Sequence, residues 1–232
     1  MAKRGKKYKQ VAQLIDKSQD YTLEEACDLV KKTSITRFNS SVDLDLKLGV
    51  DPRQADQMVR GTVSLPHGTG KTVKVLALVN DAKLEEAIEA GADYAGLDEY
   101  IKKIEEGWAD VDIIIATPDV MGKIGKLGRF LGPRGLMPNP KSGTVTMDIS
   151  SAVKEFKAGK IDFRVDKYGI LHSTIGKVDF EAGELLENAA AFISTILKMR
   201  PASAKGAYIR SAYMSTTMGP SISLSRSSLT SI

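Results

Sequence analysis

The chain has 232 residues, 42% of them hydrophobic and 27% charged, which fits a globular protein of one large or two ordinary domains. No apolar run approaches the roughly 20 residues that span a membrane, and the basic N-terminus lacks the apolar stretch of a secretory signal. The single cysteine, Cys27, excludes an internal disulfide and indicates a cytoplasmic protein.

The first part of the chain predicts one helix and two strands. Thr22 and Glu25 have the spacing of a capping box, which predicts the start of a helix. One face of this helix is apolar and is formed by Leu23, Ala26 or Cys27, and Val30. Residues 42–48 alternate between apolar and charged side chains, which is typical of a half-buried strand. Residues 61–65 predict a second strand.

The middle of the chain alternates between apolar strands and amphipathic helices. Residues 73–79 and 111–116 predict strands that are covered on both faces. Helices are predicted near 82–90 and 99–106, with inward side chains Leu84, Ala87 and Ile88 in the first and Ile101 and Ile104 in the second. A third helix begins at Ser150 and ends at Gly159. This alternation favours a small parallel α/β unit.

A half-buried pattern returns in the last third of the chain. Residues 161–165 and 169–178 predict two strands of a hairpin, and 207–217 predict a final strand. A long helix over 182–198 carries an apolar stripe of Leu185, Ala189, Phe192, Ile193 and Ile196. The Ser-rich tail after Pro220 is predicted to be disordered.

Together these elements predict a mixed α+β and α/β fold in two domains. Residues 1–67 plus 160–232 form a discontinuous α+β domain of the split β-α-β type. A Rossmann-like three-layer α/β domain, residues 68–159, is inserted into it at a surface loop. The two chain crossings, near 67–69 and 158–160, are expected to act as a hinge.

Positive charge is concentrated in segments that lack acids. The net charge is +4, with five basic residues within 1–10, so the rest of the chain holds 28 basic and 29 acidic residues. Residues 120–147 and 188–232 also contain no Asp or Glu. RNA or DNA would favour such segments, because nearby carboxylates would cancel the attraction. The alternative is a solvated N-terminal arm with chance depletion of acids elsewhere.

Residues 67–72 partly match a phosphate-binding loop. The full pattern needs glycine five positions before Gly70, where this chain has Leu65. A strand-like segment follows instead of a helix, so no helix N-terminus would face a phosphate. A hinge or a turn is favoured over a nucleotide site.

A glycine-rich basic segment extends over residues 122–141. Its glycines and prolines predict an exposed backbone, and its cations have no acids near them in sequence. Backbone N–H groups beside cations suit phosphate oxygens, although a flexible surface loop is the alternative. The candidate contacts to an anionic ligand here are Lys123, Lys126, Arg129, Arg134 and Lys141.

The final strand places short hydroxyls and one aromatic ring on the same face, namely Ser211, Tyr213, Ser215 and Thr217. Short hydroxyls bond to a ribose 2′-OH or a phosphate and fit a shallow RNA minor groove. A strand that faces solvent would have the same residues, since Thr and Tyr favour strands. The chemistry of the strand leaves both interpretations open.

The sequence offers little support for catalysis or for a metal or cofactor. His67 and His172 have no cysteine partners and no metal-ligand spacing, and no nucleophile elbow occurs. Cys27 lies on the apolar side of its helix, which is typical of a packed core thiol. The chain is therefore predicted not to be an enzyme.

Five ordered stretches of the chain resemble a known family. They are 48–53 (LGVDPR), 59–68 (VRGTVSLPHG), 116–122 (ATPDVMG), 131–140 (LGPRGLMPNP) and 216–220 (TTMGP). They are similar to large-subunit ribosomal protein one in its bacterial form, and the likeness extends over nearly the whole chain, fading beyond Pro220.

The resemblance implies a two-domain, hinged protein that acts as a monomer within the ribosome. It implies binding to large-subunit rRNA, a place in the mobile stalk near the tRNA exit site, and help in releasing deacylated tRNA. It also implies repression of translation by binding the protein's own operon mRNA, and an auxiliary contact to rRNA or tRNA through the basic segment of the second domain. The RNA contacts that it implies are Arg37, Phe38, Asn39, Ser41, Arg164, Asp166, Lys167, His172, Ser211, Thr217, Met218, Gly219 and Pro220.

Overall fold

A computed structural model describes residues 5–230 of the chain. The chain divides into two compact units: unit 1 is Met1–Gly70 with Asp162–Ile232, and unit 2 is Lys71–Ile161. The domain boundaries predicted from the sequence lie after residues 67 and 159.

The described residues form helices and strands in nearly equal number. The helices are α1 (Lys6–Ala12), α2 (Leu23–Lys32), α3 (Leu84–Glu89), α4 (Asp98–Glu105), α5 (Met121–Ile124), α6 (Gly128–Leu131), α7 (Ile149–Lys157), α8 (Ala182–Lys198) and α9 (Arg226–Thr230). The strands are β1 (Ser41–Leu48), β2 (Arg60–Ser64), β3 (Val75–Leu78), β4 (Tyr94–Gly96), β5 (Ile113–Ala116), β6 (Lys160–Arg164), β7 (Ile170–Lys177), β8 (Ile209–Thr216) and β9 (Ile222–Ser223). None of the helices in the described part of the chain is both long and apolar enough to cross a membrane.

Unit 1 is built on an antiparallel four-stranded sheet in the order β7-β1-β8-β9. The helices α2 and α8 pack on each other and against this sheet. The alternation of β1 explains the arrangement, because Val42, Leu44, Leu46 and Leu48 are fully buried while the residues between them are not. The predicted alternation of buried and less buried residues along this strand is confirmed.

The two helices of this core follow from local sequence. Thr22 and Glu25 form the predicted capping box at the start of α2. The predicted apolar stripe of α8 is buried along its whole length. Phe163 of β6 packs edge-on against Phe192 of α8, with 5.4 Å between ring centroids.

Asn188 is a buried polar residue on the apolar side of α8. Its side-chain N–H groups donate to the carbonyls of Gly68 and Ile175, at 2.9 and 2.8 Å. Its side-chain oxygen accepts from the backbone N–H of His67 at 3.0 Å. The helix therefore holds both strand β7 and the segment that leaves unit 1.

Unit 2 has three layers around a parallel sheet in the order β4-β3-β5. One face of the sheet packs on α3 and α7, through side chains such as Ala87, Val153 and Phe156. The other face packs on α4, α5 and α6, through Ile104, Ile124 and Leu131. The mixed fold class is thus confirmed, with parallel and antiparallel sheets in separate units.

The predicted hairpin of residues 161–165 and 169–178 is wrong. A tight turn does form, since the N–H of Asp166 donates to the carbonyl of Ile170 at 2.9 Å. After the turn the strands separate, because β6 pairs with β2 whereas β7 pairs with β1. Both strands find partners far away in the sequence, which a local pattern cannot indicate.

The prediction of a disordered tail is wrong for residues 222–230. Strand β9 pairs with β8, and the backbone N–H of Tyr21 donates to the carbonyl of Ser223 at 2.9 Å. Ile222, Leu224 and Leu229 are almost fully buried. Three apolar side chains spaced through a Ser-rich segment are enough to fold it onto the core.

Two further expectations for unit 2 are corrected by the structure, and one of its strands was not predicted. The glycine-rich basic segment has no continuously exposed backbone, because α5, a 3₁₀ turn and α6 bury Ile124, Leu127 and Leu131. Ile88, predicted to point inward, is 60% exposed, since α3 ends one residue later. Strand β4 lies between two helices and is too short for its pattern to predict.

Candidate nucleic-acid interface

One face of the sheet in unit 1 is exposed, and we call it the open face. Its side chains alternate with the buried ones along the three strands β7, β1 and β8. It consists of Ser41, Asp43, Asp45, Lys47, His172, Thr174, Ser211, Tyr213 and Ser215. The strand register arranges them in rows: Ile170–Lys47–Ser211, His172–Asp45–Tyr213 and Thr174–Asp43–Ser215.

The β7 side of the open face is linked to β1 by two short hydrogen bonds. The Nδ1–H of His172 donates to Oδ1 of Asp45 at 2.6 Å, and the hydroxyl of Thr174 donates to Oδ1 of Asp43 at 2.6 Å. The hydrogen bond to Asp45 raises the pKa of His172, against the opposing effect of burial. Asp166 adds to this shift from 3.6 Å.

The β8 side of the open face is chemically different. Within the described residues, the hydroxyls of Ser211, Tyr213 and Ser215 have no side-chain partner, and Tyr213 is 41% exposed. These groups can both donate and accept hydrogen bonds. The predicted hydroxyl face of the final strand therefore exists, and its hydroxyls are available to a ligand.

The turn after β8 projects from the edge of the open face. Met218 has φ 63°, the only positive φ among the described residues other than glycine, and its side chain is 74% exposed. The N–H of Gly219 donates to the carbonyl of Thr216 at 2.8 Å and closes the turn. A left-handed residue at its tip turns the backbone outward, at a cost in strain.

Gly219 is needed by the turn itself. A Cβ atom at this position would lie 2.2 Å from the hydroxyl oxygen of Thr216. That hydroxyl is buried and has no hydrogen-bond partner in the described part of the chain. The side chain of Pro220 is buried as well, so of this motif Thr217, Met218 and Gly219 remain accessible.

Residues 37–41 adjoin this turn. Thr217 donates its backbone N–H to the carbonyl of Ser41 at 3.1 Å, and its hydroxyl accepts from the N–H of Ser41 at 3.2 Å. Arg37, Phe38 and Asn39 are exposed just before Ser41, with Phe38 60% exposed. Two of the predicted contact segments are thus brought together at one end of the open face.

The third predicted contact segment lies at the other edge of the sheet. Oδ1 of Asp166 accepts from the N–H groups of Tyr168 and Ile170, both at 2.8 Å. Burial would raise the pKa of Asp166, but these bonds outweigh it and lower the pKa. Asp166 therefore holds the turn, while Lys167 and Arg164 are exposed, with one N–H of Arg164 donating to Sδ of Met58 at 3.8 Å.

In unit 2, the five predicted basic contact residues are all exposed, but two of them already have a partner within the protein. Lys123 forms an ion pair with Asp98 at 3.1 Å. Arg134 donates to the carbonyl of Gly107 at 3.3 Å. No partner occurs within residues 5–230 for the remaining three, which are Lys126, Arg129 and Lys141.

No arrangement for catalysis appears among the described residues. They contain no group of three side chains able to hold a metal ion. Burial raises the pKa of the Cys27 thiol to about 12, so it is not a nucleophile at neutral pH. Lys71, the cation of the rejected phosphate loop, is paired with Asp112.

Sequence reasoning missed the central residues of the open face. Asp43, Asp45 and Thr174 lie at its middle, and none of them was among the predicted contacts. The alternation of β1 had already placed both aspartates on the exposed side. Their pairing with β7 could not be predicted, because it depends on which strand lies beside β1.

Comparison with known proteins gives one consistent result. The model of the "Ribosomal protein L1p/L10e family" matches residues 30–220. "Large ribosomal subunit protein uL1" of Porphyromonas gingivalis is 61% identical over 218 residues, covering 94% of both chains. The protein of the same name from Chlorobium chlorochromatii is 58% identical over 94% of this chain and 95% of its own. That from Bacteroides thetaiotaomicron is 57% identical over the full length of both chains.

Proposed function

This chain belongs to the ribosomal protein L1p/L10e family, and from that premise we propose that unit 1 holds large-subunit rRNA on its open face. The chain is a large-subunit ribosomal protein and not an enzyme, since relatives of full length carry that name. The observation that carries the proposed site is a sheet face with unpartnered hydroxyls beside a strained, outward turn.

The chemistry of the open face suits RNA. Ser211, Tyr213 and Ser215 offer hydroxyls that lie low on the sheet, where they fit a wide and shallow minor groove. The exposed side chains of Phe38 and Met218 can stack on unpaired bases. Lys167 and Arg164 lie beyond the end of β7 and would attract phosphates.

For unit 2 we propose an auxiliary contact to rRNA or to tRNA at the exit site. Lys126, Arg129 and Lys141 support it, because they are exposed and have no acidic partner in the described part of the chain. Such a contact would be weak and salt-dependent, which suits a tRNA that must leave. This role extends to the release of deacylated tRNA and to a place in the mobile stalk.

The open face supports a second role in translational repression. Its hydroxyls contact ribose and backbone and do not require one base sequence. An mRNA of the protein's own operon that folds like the rRNA site would bind the same surface. Competition between the two RNAs for purified protein tests this role; simultaneous binding of both would contradict it.

The main test is the substitution Thr217→Ala. We expect normal folding and a loss of rRNA affinity of about 1–3 kcal/mol, because an RNA hydrogen bond and the side-chain hydrogen bond to Ser41 are both removed, while the backbone bond to Ser41 remains. Ser203→Ala is the matched control, since Ser203 is exposed in unit 1 and lies outside the open face. The measurement is binding to large-subunit rRNA by filter retention, together with co-sedimentation of the protein with ribosomes.

Unchanged affinity in folded Thr217→Ala protein would refute the site. Gly219→Val is a less specific variant, although it should also weaken binding. Its side chain would collide with Thr216 inside the turn, so its effect combines a distorted turn with blocked access of RNA.

A further inference from the structure

The open face carries two carboxylates on its middle strand, which is unusual for a surface that meets a polyanion. Asp43 and Asp45 occupy the middle strand, on the same side and roughly 7 Å apart along it. His172 forms an ion pair with Asp45, and the ammonium of Lys47, farther along β1, donates to the carbonyl of Tyr168. Asp43 forms no ion pair within the described residues, and the exposed cations Lys167 and Arg164 lie away from it. A phosphate group placed over the two aspartates would be repelled.

Each of the two carboxylates is held in place through one oxygen, and its other oxygen has no side-chain hydrogen bond. Thr174 and His172 each bind an Oδ1 atom, both at 2.6 Å. Among the described residues, neither Oδ2 of Asp43 nor Oδ2 of Asp45 accepts a side-chain hydrogen bond. An ionised carboxylate can only accept, so each position is ready for a donor that approaches from outside the sheet.

RNA offers such a donor, and DNA of the same sequence does not. The ribose 2′-OH lines the wide minor groove of an A-form helix and can donate to a carboxylate. Phosphates lie along the two rims of the groove. A face whose middle strand offers carboxylate oxygens, with exposed cations at its periphery, therefore matches ribose at its centre and phosphate at its edges.

We propose that Asp43 and Asp45 make the open face select ribose over deoxyribose. Their unpartnered oxygens accept hydrogen bonds from 2′-hydroxyls, and the charge of Asp43, which no cation in the described residues pairs, keeps phosphate away from its position. Thr174 and His172 act as positioning residues that fix the direction of the carboxylates. The inference rests on the proposed binding of rRNA by this face.

The probe is the large-subunit rRNA fragment that the protein protects from nuclease digestion. It is synthesised once with ribose throughout and once with 2′-deoxyribose at the protected nucleotides. The native chain is expected to bind the ribose form at least about tenfold more tightly. Asp43→Ala and Asp45→Ala should each lose about tenfold in affinity for the ribose form without losing affinity for the deoxy form.

The conservative variants separate charge from acceptor. Asp43→Asn and Asp45→Asn keep an accepting oxygen and lose the charge, so they should keep part of the preference for ribose and bind the deoxy form more tightly. They also keep the side-chain shape if the alanine variants fold poorly. Asp179→Asn is the charge-matched control, because Asp179 is exposed in unit 1 away from the open face.

The outcomes distinguish failure of this inference from failure of the proposed rRNA binding by the open face. If the native chain protects no rRNA fragment, both are wrong. If it binds the fragment but the alanine variants keep the native ratio of ribose to deoxy affinity, only the role of the aspartates is overturned. An equal loss for both forms of the probe would also overturn it, since the carboxylates would then contact bases.

Discussion

At the scale of single residues, buried polar groups decide what the apolar pattern cannot. The stripe of α8 is apolar except at Asn188, which satisfies three backbone groups from two separate segments. Without these bonds the buried amide of Asn188 and the buried carbonyl of Ile175 would lack a partner. Asn188 thus joins the helix to the strand β7 that carries part of the open face.

Replacing Asn188 with alanine should destabilise unit 1 by roughly 2–4 kcal/mol, because the buried carbonyl of Ile175 and two partly buried groups of residues 67 and 68 lose their partner. Chemical denaturation followed by circular dichroism measures the change. The exposed Asn39→Ala serves as control and should leave stability nearly unaltered. A loss no larger than that of the control would mean that water replaces the amide.

His172 is the residue whose protonation the open face controls most directly. Its hydrogen bond to Asp45 raises its pKa, so the charged form is favoured in the folded protein. This contribution to stability is complete below the ordinary pKa of about 6.5 and is lost as the pH rises through the higher folded value.

An NMR titration of the imidazole should therefore give a His172 pKa above its ordinary value. Asp45→Asn should lower it, because the main partner loses its charge, whereas Asp179→Asn should leave it unchanged. A His172 pKa that does not respond to Asp45→Asn would show that the ion pair does not persist in solution.

At the residue scale, the sequence predicted the site only where a motif or an alternation was local. Thr217, Met218 and Gly219 were found through a matching motif, and Ser211 and Tyr213 through their period on a strand. The left-handed conformation of Met218 and the collision of a Cβ atom at Gly219 with Thr216 have no sequence signature, because they depend on three-dimensional closeness.

At the scale of elements, periodicity predicted which segments form strands and helices far better than it predicted their partners. The strand β1 and the helix α8 are long, regular and buried on one side. The hairpin failed because pairing depends on contacts between residues more than 100 positions apart, such as Asp45 and His172. The glycine-rich segment failed because packing of Ile124 and Leu127 overrides weak helix propensity.

The C-terminal elements β9 and α9 should contribute measurably to the stability of unit 1. Ile222→Ala is expected to cost roughly 2–4 kcal/mol, because the side chain is fully buried against the sheet. The neighbouring Ser221→Ala is the control, since Ser221 is exposed. Thermal denaturation of both variants measures the difference in stability. Equal stability of the two variants would mean that the C-terminal segment does not stabilise unit 1.

At the scale of the whole molecule, each unit has the sheet, the helices and the buried core of a domain. Contiguous strand–helix repetition predicted the inserted unit, and similar half-buried patterns at both ends predicted the other. The family followed from five matching stretches spread along the chain. Secondary-structure patterns alone could not have indicated a ribosomal protein, because the same fold classes serve many functions.

Since the open face lies wholly in unit 1, that unit should bind rRNA without unit 2. Replacing residues 71–159 with a short Gly-Ser linker keeps β6 intact and should preserve affinity to within about tenfold, or 1.4 kcal/mol. The measurement is binding to the same rRNA fragment by both proteins. A larger loss in a folded deletion protein would assign a main contact to unit 2.

The outward turn gives the protein a chemically addressable atom. The thioether of Met218 is 74% exposed, whereas Met214 on the preceding strand is fully buried. Peroxide should convert the first sulfur to its sulfoxide well before the second, and bound RNA would cover it. The extent of Met218 oxidation in mildly oxidised ribosomes, measured by mass spectrometry, would then give the fraction of molecules whose turn is covered by RNA.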